Sequence, residues 1–421
     1  MLNATYLSPT IQNELISICG EVVQKKIVQE INSSQCFSIL VDETTDVSRQ
    51  EQMSICARYT KLENNVFILR EEFLNFVAVG STTGKNLANT ILSELERLGV
   101  DCQYLIGQGY DGASAMKGCF NGVQAIIRES HPEALYVHCS SHSLNLALCH
   151  SCQIQPIRNT IGTIKSVGNF MKSSAKRTNC LKHSIRKNFP ETKWQTLTAM
   201  CETRWVENHD GLIRFQEIFK AILDTLEDLS TDVDSETSSK ANNFLKSIIA
   251  SDFVISLCCL TMLFSYTLPL CKILQSPMCD LSAALQHVDL IIITIEDIRK
   301  NVDLKFTKIF KAAQDLLTPL KEDIKIPRLA LRQQHRPNYS ATDPETYFRR
   351  SIMIPLLDDF LDQLRRRFKD HNTTLSSLNI LFRLCAAGIT LNFKFTISLF
   401  IKSIWTGTVY NRNSTYGSKN G

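Results

Sequence analysis

The protein has 421 residues, of which 44% are hydrophobic and 21% charged, with a net charge of +4. This balance is ordinary for a soluble globular protein of two or three packed units. The net charge is too small to indicate nucleic-acid binding, so that argument must rest on local charge. The start of the chain lacks the basic-then-apolar pattern of a signal region, and the fifteen cysteines show no disulfide spacing. We therefore predict reduced thiols in an intracellular protein.

One apolar segment has the composition of a membrane span. Residues 253–271 carry no charge and are nearly long enough to cross a bilayer. They also contain several hydroxyl side chains and Pro269, and Asp252 stands at their edge. We predict a buried core helix and no membrane partner, with a membrane span as the alternative.

The first part of the chain alternates between strand and helix patterns. Residues 11–32 have apolar residues at helical spacing and are predicted to form an amphipathic lead-in helix. Short β-type runs with polar boundaries predict five strands, at 37–43, 51–60, 65–76, 104–111 and 134–142. Two helices are predicted between the later strands, at 84–99 and 122–130.

This order predicts the topology of the sheet. Three early strands with short connections favour an antiparallel meander, and a strand reached through a helix favours a parallel neighbour. That is the order of a ribonuclease-H-like fold, in which the first and fourth strands lie side by side. Asp42 and Asp111, which end these two strands, should then meet at one edge of the sheet.

A pair of carboxylates at one sheet edge suits a metal-dependent nuclease. Such enzymes hold two Mg²⁺ ions that activate the attacking oxygen and stabilise the leaving oxygen, and Mg²⁺ prefers oxygen ligands. Asp42 and Asp111 are therefore the candidate catalytic and metal-binding residues, with Mg²⁺ as the cofactor. The alternative is that Asp is common where a strand enters a turn.

Helical patterns dominate after about residue 156. Two helical stretches, 157–229 and 241–315, are predicted on either side of a polar acidic linker at 230–240, and a further helix at 347–369. The last stretch is apolar and rich in Ser and Thr, and its end has the composition of a disordered tail. The predicted domains are a lead-in helix (1–34), an N-terminal part of a ribonuclease-H-like domain (35–155), a helical insertion (156–375) and a tail (376–421).

A basic run lies in the helical region. Residues 158–193 contain nine Lys or Arg and one acid, an excess that is typical of a phosphate-binding surface. The alternative is a basic face that pairs with the acids at 224–236. The candidate DNA-binding residues in this run are Lys172, Lys176, Arg177, Lys182, Arg186 and Lys187.

Cysteine and histidine cluster after the fifth predicted strand. The group comprises His138, Cys139, His142, Cys149, His150 and Cys152. These residue types bind zinc, but their spacing is not that of a standard zinc finger and apolar residues of a helix are interleaved. We favour a structural and DNA-positioning role for Cys139 and His142, with zinc binding as the alternative.

Four ordered motifs carry a family resemblance: SILVDETTDVS, GQGYDGASAMKG, YVHCSSHSLNLAL and ETRW. In order and spacing they resemble the hAT-superfamily transposases, and most closely their domesticated zinc-finger MYM-type and repressor-of-the-inhibitor-of-protein-kinase relatives. The resemblance covers about residues 10–370. It implies that Asp42 and Asp111 are the first two acids of a catalytic triad, and that Cys139 and His142 form the family's Cys-x-x-His element.

The resemblance also gives a role to Arg204 and Trp205. They match the family's Arg-Trp element, in which the Trp is thought to stack on a flipped base near the transposon end. The alternative for Trp205 is a core residue, the commonest place for a lone Trp on a helix.

The chain departs from the family in its flanking parts. It has neither the motif that carries the third acid, nor the dimerisation region around that motif, nor an N-terminal zinc finger. We therefore expect a nuclear, truncated transposase-derived protein that is catalytically inactive and binds DNA or protein partners in a regulatory or vestigial role. The alternative is an active metal-dependent transposase whose C-terminal part is missing from this chain.

The missing part bears on the sheet as well. In a ribonuclease-H-like domain the closing helices would follow the insertion, so one face of the sheet should stay uncovered. The strand residues expected to be exposed there are Ile39, Val41, Leu105 and Val137.

Overall fold

A computed structural model describes residues 8–45, 48–64, 66–198, 205–276, 281–327 and 341–368. The chain forms two compact units. The first holds the described residues up to His142, and the second holds nearly all of those from Ser143 onward. The domain boundaries inferred from the sequence stay predictions.

A five-stranded mixed sheet forms the centre of the first unit. Its strands are β1 (Phe37–Thr45), β2 (Glu51–Glu63), β3 (Val66–Ala78), β4 (Leu105–Tyr110) and β5 (Leu135–His138). Their spatial order is β3-β2-β1-β4-β5. The first three strands are antiparallel, whereas β4 runs parallel to both β1 and β5. The mixed α/β class and the neighbouring position of β1 and β4 are confirmed.

Helices cover one face of this sheet. They are α1 (Pro9–Ser34), α2 (Gly84–Leu98), α3 (Ser114–Lys117) and α4 (Val123–Ser130). Thr83 caps α2 through a hydrogen bond from the Asn86 backbone, and Gly99 ends it in the left-handed conformation that suits glycine. Alternate residues of β1 and β2 pack against α2, α4 and the end of α1, with Ile39, Ile55, Leu87, Ile91, Ile127 and Ile31 all fully buried.

The prediction of an uncovered face at Ile39, Val41 and Leu105 was wrong. These side chains are at most 5% exposed, because α2 and α4 already cover them. Val137 belongs to the other face, since it pairs with Gly109, the partner of Leu40. That other face, which we call the open face, carries half-buried Ser38 and Leu40 and exposed Asp42.

The lead-in helix α1 is confirmed as a helix but not as a buried one. Leu15, Ile18 and Val22 are about half exposed or more, and the buried residues of α1 are Val28 and Ile31, in its second half. The helical spacing of apolar residues in the first half of α1 therefore did not predict which residues of that helix are buried.

The second unit contains helices and no strand among its described residues. Its helices are α5 (Ser140–Ser151, which begins in the first unit), α6 (Gln155–Lys172), α7 (Ala175–Asn188), α8 (Trp205–Glu217), α9 (Phe219–Ser230), α10 (Ser235–Ile248), α11 (Ser251–Leu274), α12 (Leu281–Lys300) and α13 (Val302–Leu317). A last helical stretch begins at Pro344–Phe348, passes through a π-helical turn at Arg349–Met353 and continues over 354–368.

Two boundaries differ from the sequence prediction. The fifth strand ends at His138 because α5 begins at Ser140. The acidic stretch 230–240 is not a linker throughout, since Asp234 accepts a hydrogen bond from the Thr237 backbone and starts α10 at Ser235. An acid that caps a helix resembles a linker residue when only composition is considered.

The apolar segment forms α11. It is long and apolar enough to pass for a membrane span, but 67% of its most apolar stretch is buried within the protein. Its fully buried residues include Val254, Leu257, Leu260 and Leu263. This burial is what a core helix of a folded unit requires.

Candidate functional site

The two predicted carboxylates lie at the ends of adjacent parallel strands. Leu40 of β1 pairs with Gly109 of β4. Asp42 and Asp111 each follow two residues later, which places both at the same edge of the sheet and on the open face. Asp42 is exposed and Asp111 is half-buried. The juxtaposition predicted from strand order is therefore present in the fold.

Two glycines allow β4 to approach β1. A Cβ at Gly109 would lie 2.7 Å from a methyl carbon of Leu40, and one at Gly107 would lie 2.4 Å from the Ser38 hydroxyl. Any larger residue would push the strands apart or force these side chains to move. The GQG sequence thus brings Asp111 beside Asp42.

Hydrogen bonds fix the backbone around the carboxylates. The Asp111 side chain accepts a hydrogen bond from the Ala113 backbone at 3.0 Å, and the Tyr136 hydroxyl donates to the Asp111 carbonyl at 3.1 Å. The Ser54 hydroxyl donates to the Asp42 carbonyl at 3.1 Å. These contacts hold Asp111 in the turn after β4 while leaving carboxylate oxygen available for a cation.

A third acid, Glu43, lies at this edge and was not predicted as a site residue from the sequence. Its Oε1 is buried and has no hydrogen-bond partner in the part of the chain that the structure describes. Burial raises the pKa of the Glu43 carboxyl, and the charges of Asp111, Glu51 and Asp42 raise it further. The consecutive acids of VDE were the only signal, and the pattern alone does not show that Glu43 faces the buried side.

Cys139 stands next to the carboxylates. Its backbone N–H donates to the Tyr110 carbonyl at 2.9 Å, which extends the pairing of β4 and β5 by one residue. Desolvation raises the pKa of the Cys139 thiol, backbone hydrogen bonds from His142 and Ser141 oppose the shift, and the charges of Asp42 and Asp111 add to it. The site therefore disfavours a thiolate unless a cation offsets the negative charge.

His142 lies one helical turn from Cys139. Its ring packs against that of His138 with 5.6 Å between centroids. Among the described residues, no three His, Cys, Asp or Glu side chains are placed to hold one metal ion. Neither zinc binding by the cysteine–histidine group nor a three-acid Mg²⁺ site therefore has geometric support in that part of the chain.

The Arg-Trp element is only partly visible. Arg204 lies outside the described residues. Trp205 is the first residue of α8, and its side chain also lies outside the description. The base-stacking role of this element stays a prediction.

Two of the basic candidates are bound within the second unit. Lys176 forms an ion pair with Asp232 at 2.6 Å. Arg177 donates to the Phe170 carbonyl, the Ser173 hydroxyl and the Thr237 hydroxyl, and its guanidinium covers the Phe170 ring at 4.3 Å. For these two residues the geometry favours the alternative of internal pairing over phosphate binding.

The other basic candidates are available. Lys172, Arg186 and Lys187 are exposed and Lys182 is half-buried, and none makes a hydrogen bond or ion pair with a described residue. Lys182 and Arg186, four residues apart on α7, line one cavity of about 200 Å³ with Phe189, Thr192 and Trp194. The basic candidates without a described partner are therefore fewer than the sequence indicated, and three of the four lie in the last two turns of α7; phosphate binding by them stays a prediction.

Trp194 lines the same cavity and was not predicted as a site residue from the sequence. The Arg214 guanidinium lies 4.1 Å and the Lys193 ammonium 4.3 Å from the centre of its rings. The indole N–H donates to the Glu217 carboxylate. These contacts fix Trp194 beside α7, within a segment that was predicted to be helical but runs without regular structure from 189 to 198.

Comparison with known proteins agrees with the fold and the motifs. Residues 2–122 match the family described as "ZMYM1/FAM200, RNase-like domain". The chain is 24% identical over 391 residues to the "52 kDa repressor of the inhibitor of the protein kinase" of Homo sapiens, covering 90% of this chain and 50% of the relative. It is 23% identical over 390 residues to the Mus musculus protein of the same name, covering 90% and 51%. The chain thus spans about half the length of these relatives. Residues 2–122 are thus similar to an RNase-like domain, and 90% of the chain is similar to part of the two repressors.

Proposed function

We propose that this chain is part of a nuclear, transposase-derived regulatory protein that binds nucleic acid and protein partners. The observation that carries the proposal is the pair Asp42 and Asp111 on adjacent parallel strands of an RNase-like domain. Two carboxylates on adjacent strands repel each other, and a divalent cation that binds both would relieve the repulsion. The exposed cations at the end of α7 supply contacts for a phosphate backbone. The nuclear location is inferred from relatives that are named as repressors.

The chemistry of the site favours binding over cleavage. Mg²⁺ would be held by Asp42 and Asp111, and it would stabilise negative charge on a phosphate oxygen. A two-metal reaction requires further oxygen ligands, and Glu43 lies on the opposite face of β1 from Asp42. We therefore infer that residues 1–421 by themselves do not cut or join DNA. We also infer, from the family resemblance, that the helical unit is an insertion into the ribonuclease-H-like domain. Because relatives are about twice as long, this inference concerns the chain as given.

The test is an incubation of the purified chain with labelled DNA and Mg²⁺ or Mn²⁺. We expect retention of the DNA on the protein with no new strand ends. Turnover that Asp42→Ala abolishes would favour the second candidate function, an active metal-dependent transposase. Absence of any retained DNA at low salt would instead contradict the proposed binding function.

A further inference from the structure

Two phenylalanines form an exposed pair on β3. The rings of Phe73 and Phe76 lie 4.7 Å apart between centroids with an angle of 51° between planes. Phe73 is 46% exposed and Phe76 55% exposed. Because about half of each ring is exposed to water, burial of the pair stabilises the fold only in part. The exposed position therefore suggests a binding role for the two rings.

A β-bulge brings the two rings to the same face. Ile55 pairs with Asn75 and Cys56 with Phe73, so Leu74 is an extra residue without a partner on β2. Leu74 is buried on the covered face. In a regular strand, residues three apart point to opposite faces, and the inserted residue reverses this for Phe73 and Phe76.

The same pairing puts the aromatic pair in line with the acids. Asp42 pairs with Ser54, and Ser54 pairs with Phe76. All three residues lie on the open face in one row across three strands. Two strand spacings separate Phe76 from Asp42, which is about 10 Å.

Polar groups stand beside the pair on this face, together with Cys56, the register partner of Phe73. Ser54 lies between the rings and Asp42, and Arg58 and Glu71 form an ion pair at 3.8 Å on the same face. Aromatic rings beside hydrogen-bonding and charged groups suit planar ligands that also carry charge.

We propose that Phe73 and Phe76 stack on the bases of a single nucleic-acid strand whose backbone passes the Asp42–Asp111 pair. The inference rests on the proposed function and deepens it by naming the substrate as single-stranded. Aromatic side chains on an open sheet face bind every base through its π-face, so the contact is tolerant of sequence. Bases inside a duplex are stacked on each other and do not offer that face. The pair thus selects single-stranded or locally opened nucleic acid.

The test compares binding of a single-stranded oligonucleotide that contains 2-aminopurine with binding of the matched duplex. Loss of one stacking contact weakens binding by about 5- to 160-fold, so Phe76→Ala and Phe73→Ala should each weaken single-strand binding by a factor in that range. Quenching of 2-aminopurine should decrease in parallel, and Phe76→Trp should restore it. Phe120→Ala is the matched control, because Phe120 is 82% exposed in the same unit but outside the sheet.

Each outcome decides between the inference and the proposed function. Equal single-strand binding by the parent, Phe73→Ala and Phe76→Ala would overturn the stacking inference and leave the proposed function intact. If no nucleic acid binds at all, the proposed function fails, and the stacking inference fails with it. If the two variants change only self-association in sedimentation, the open face is a protein-docking surface and the inference is wrong.

Discussion

Two arginines of α7 have the same charge but different surroundings, and we predict that replacing each of them affects a different property of the protein. Arg177 lies in the first turn of the helix and is engaged by Phe170, Ser173 and Thr237. Arg186 lies in the last turn, is exposed and makes no hydrogen bond or ion pair with a described residue. Arg177→Ala should therefore lower stability, whereas Arg186→Ala should lower DNA affinity.

The magnitude for Arg177 follows from its contacts. Its three hydrogen bonds, of 2.7 to 3.1 Å, contribute about 0.5–1.5 kcal/mol each. The cation–π contact with Phe170 adds about 0.5–1 kcal/mol. Because the side chain is partly exposed, we expect a loss of about 2–3 kcal/mol in the free energy of unfolding. For a unit of this size the melting temperature should fall by about 4–12 °C.

The magnitude for Arg186 follows from counterion release. Removing one phosphate contact should reduce the slope of log K against log salt by about 0.9 for duplex DNA. Stability should change by no more than about 0.5 kcal/mol, since the side chain is exposed and has no partner among the described residues. Calorimetry and salt-dependent fluorescence anisotropy of both variants measure the two effects. If Arg177→Ala reduces the slope without destabilising, or if Arg186→Ala leaves the slope unchanged, the division of α7 into structural and DNA-binding halves is wrong.

Two further predictions concern the first unit. Ile39→Ala should lower the free energy of unfolding by about 2–5 kcal/mol in chemical denaturation, because Ile39 is fully buried on the covered face; a loss below about 1 kcal/mol would mean that this face is open after all. Glu43→Gln should raise the melting temperature at pH 7. The raised pKa of Glu43 means that the folded state favours its protonated form, so ionisation costs stability as pH rises through the folded pKa. The gain should vanish near pH 3, where the carboxyl is protonated in both states, and a gain independent of pH would rule out this origin.

The sequence predicted the sheet well because its order depends on local patterns. Strand, turn and helix signals of residues 37–142 imply one topology once connections are short and crossovers right-handed. That is sufficient to place Asp42 beside Asp111. The faces of the strands were predicted less well, since Ile39 and Val137 were assigned to one face although their parity places them on opposite faces.

The rest of the site depends on contacts between distant residues. The bulge at Leu74 contains no glycine, and Asn75 alone does not identify it, so the contact between Phe73 and Phe76 appears only in the register of β2 and β3. The ion pair of Lys176 with Asp232 joins residues 56 positions apart. Composition could only offer internal pairing as an alternative to phosphate binding, and it could not assign either role to single residues.

The account's central claim is that Asp42 and Asp111 together hold a divalent cation. Calorimetric titration of the parent chain with Mn²⁺, beside Asp42→Asn and Asp111→Asn, tests it most directly, with Asp101→Asn as a control for an acid of the same unit away from the sheet edge. We predict one site in the parent and in the control that is weakened in both of the other variants, together with a rise in melting temperature on adding Mn²⁺. Identical titrations for all four proteins would contradict the claim.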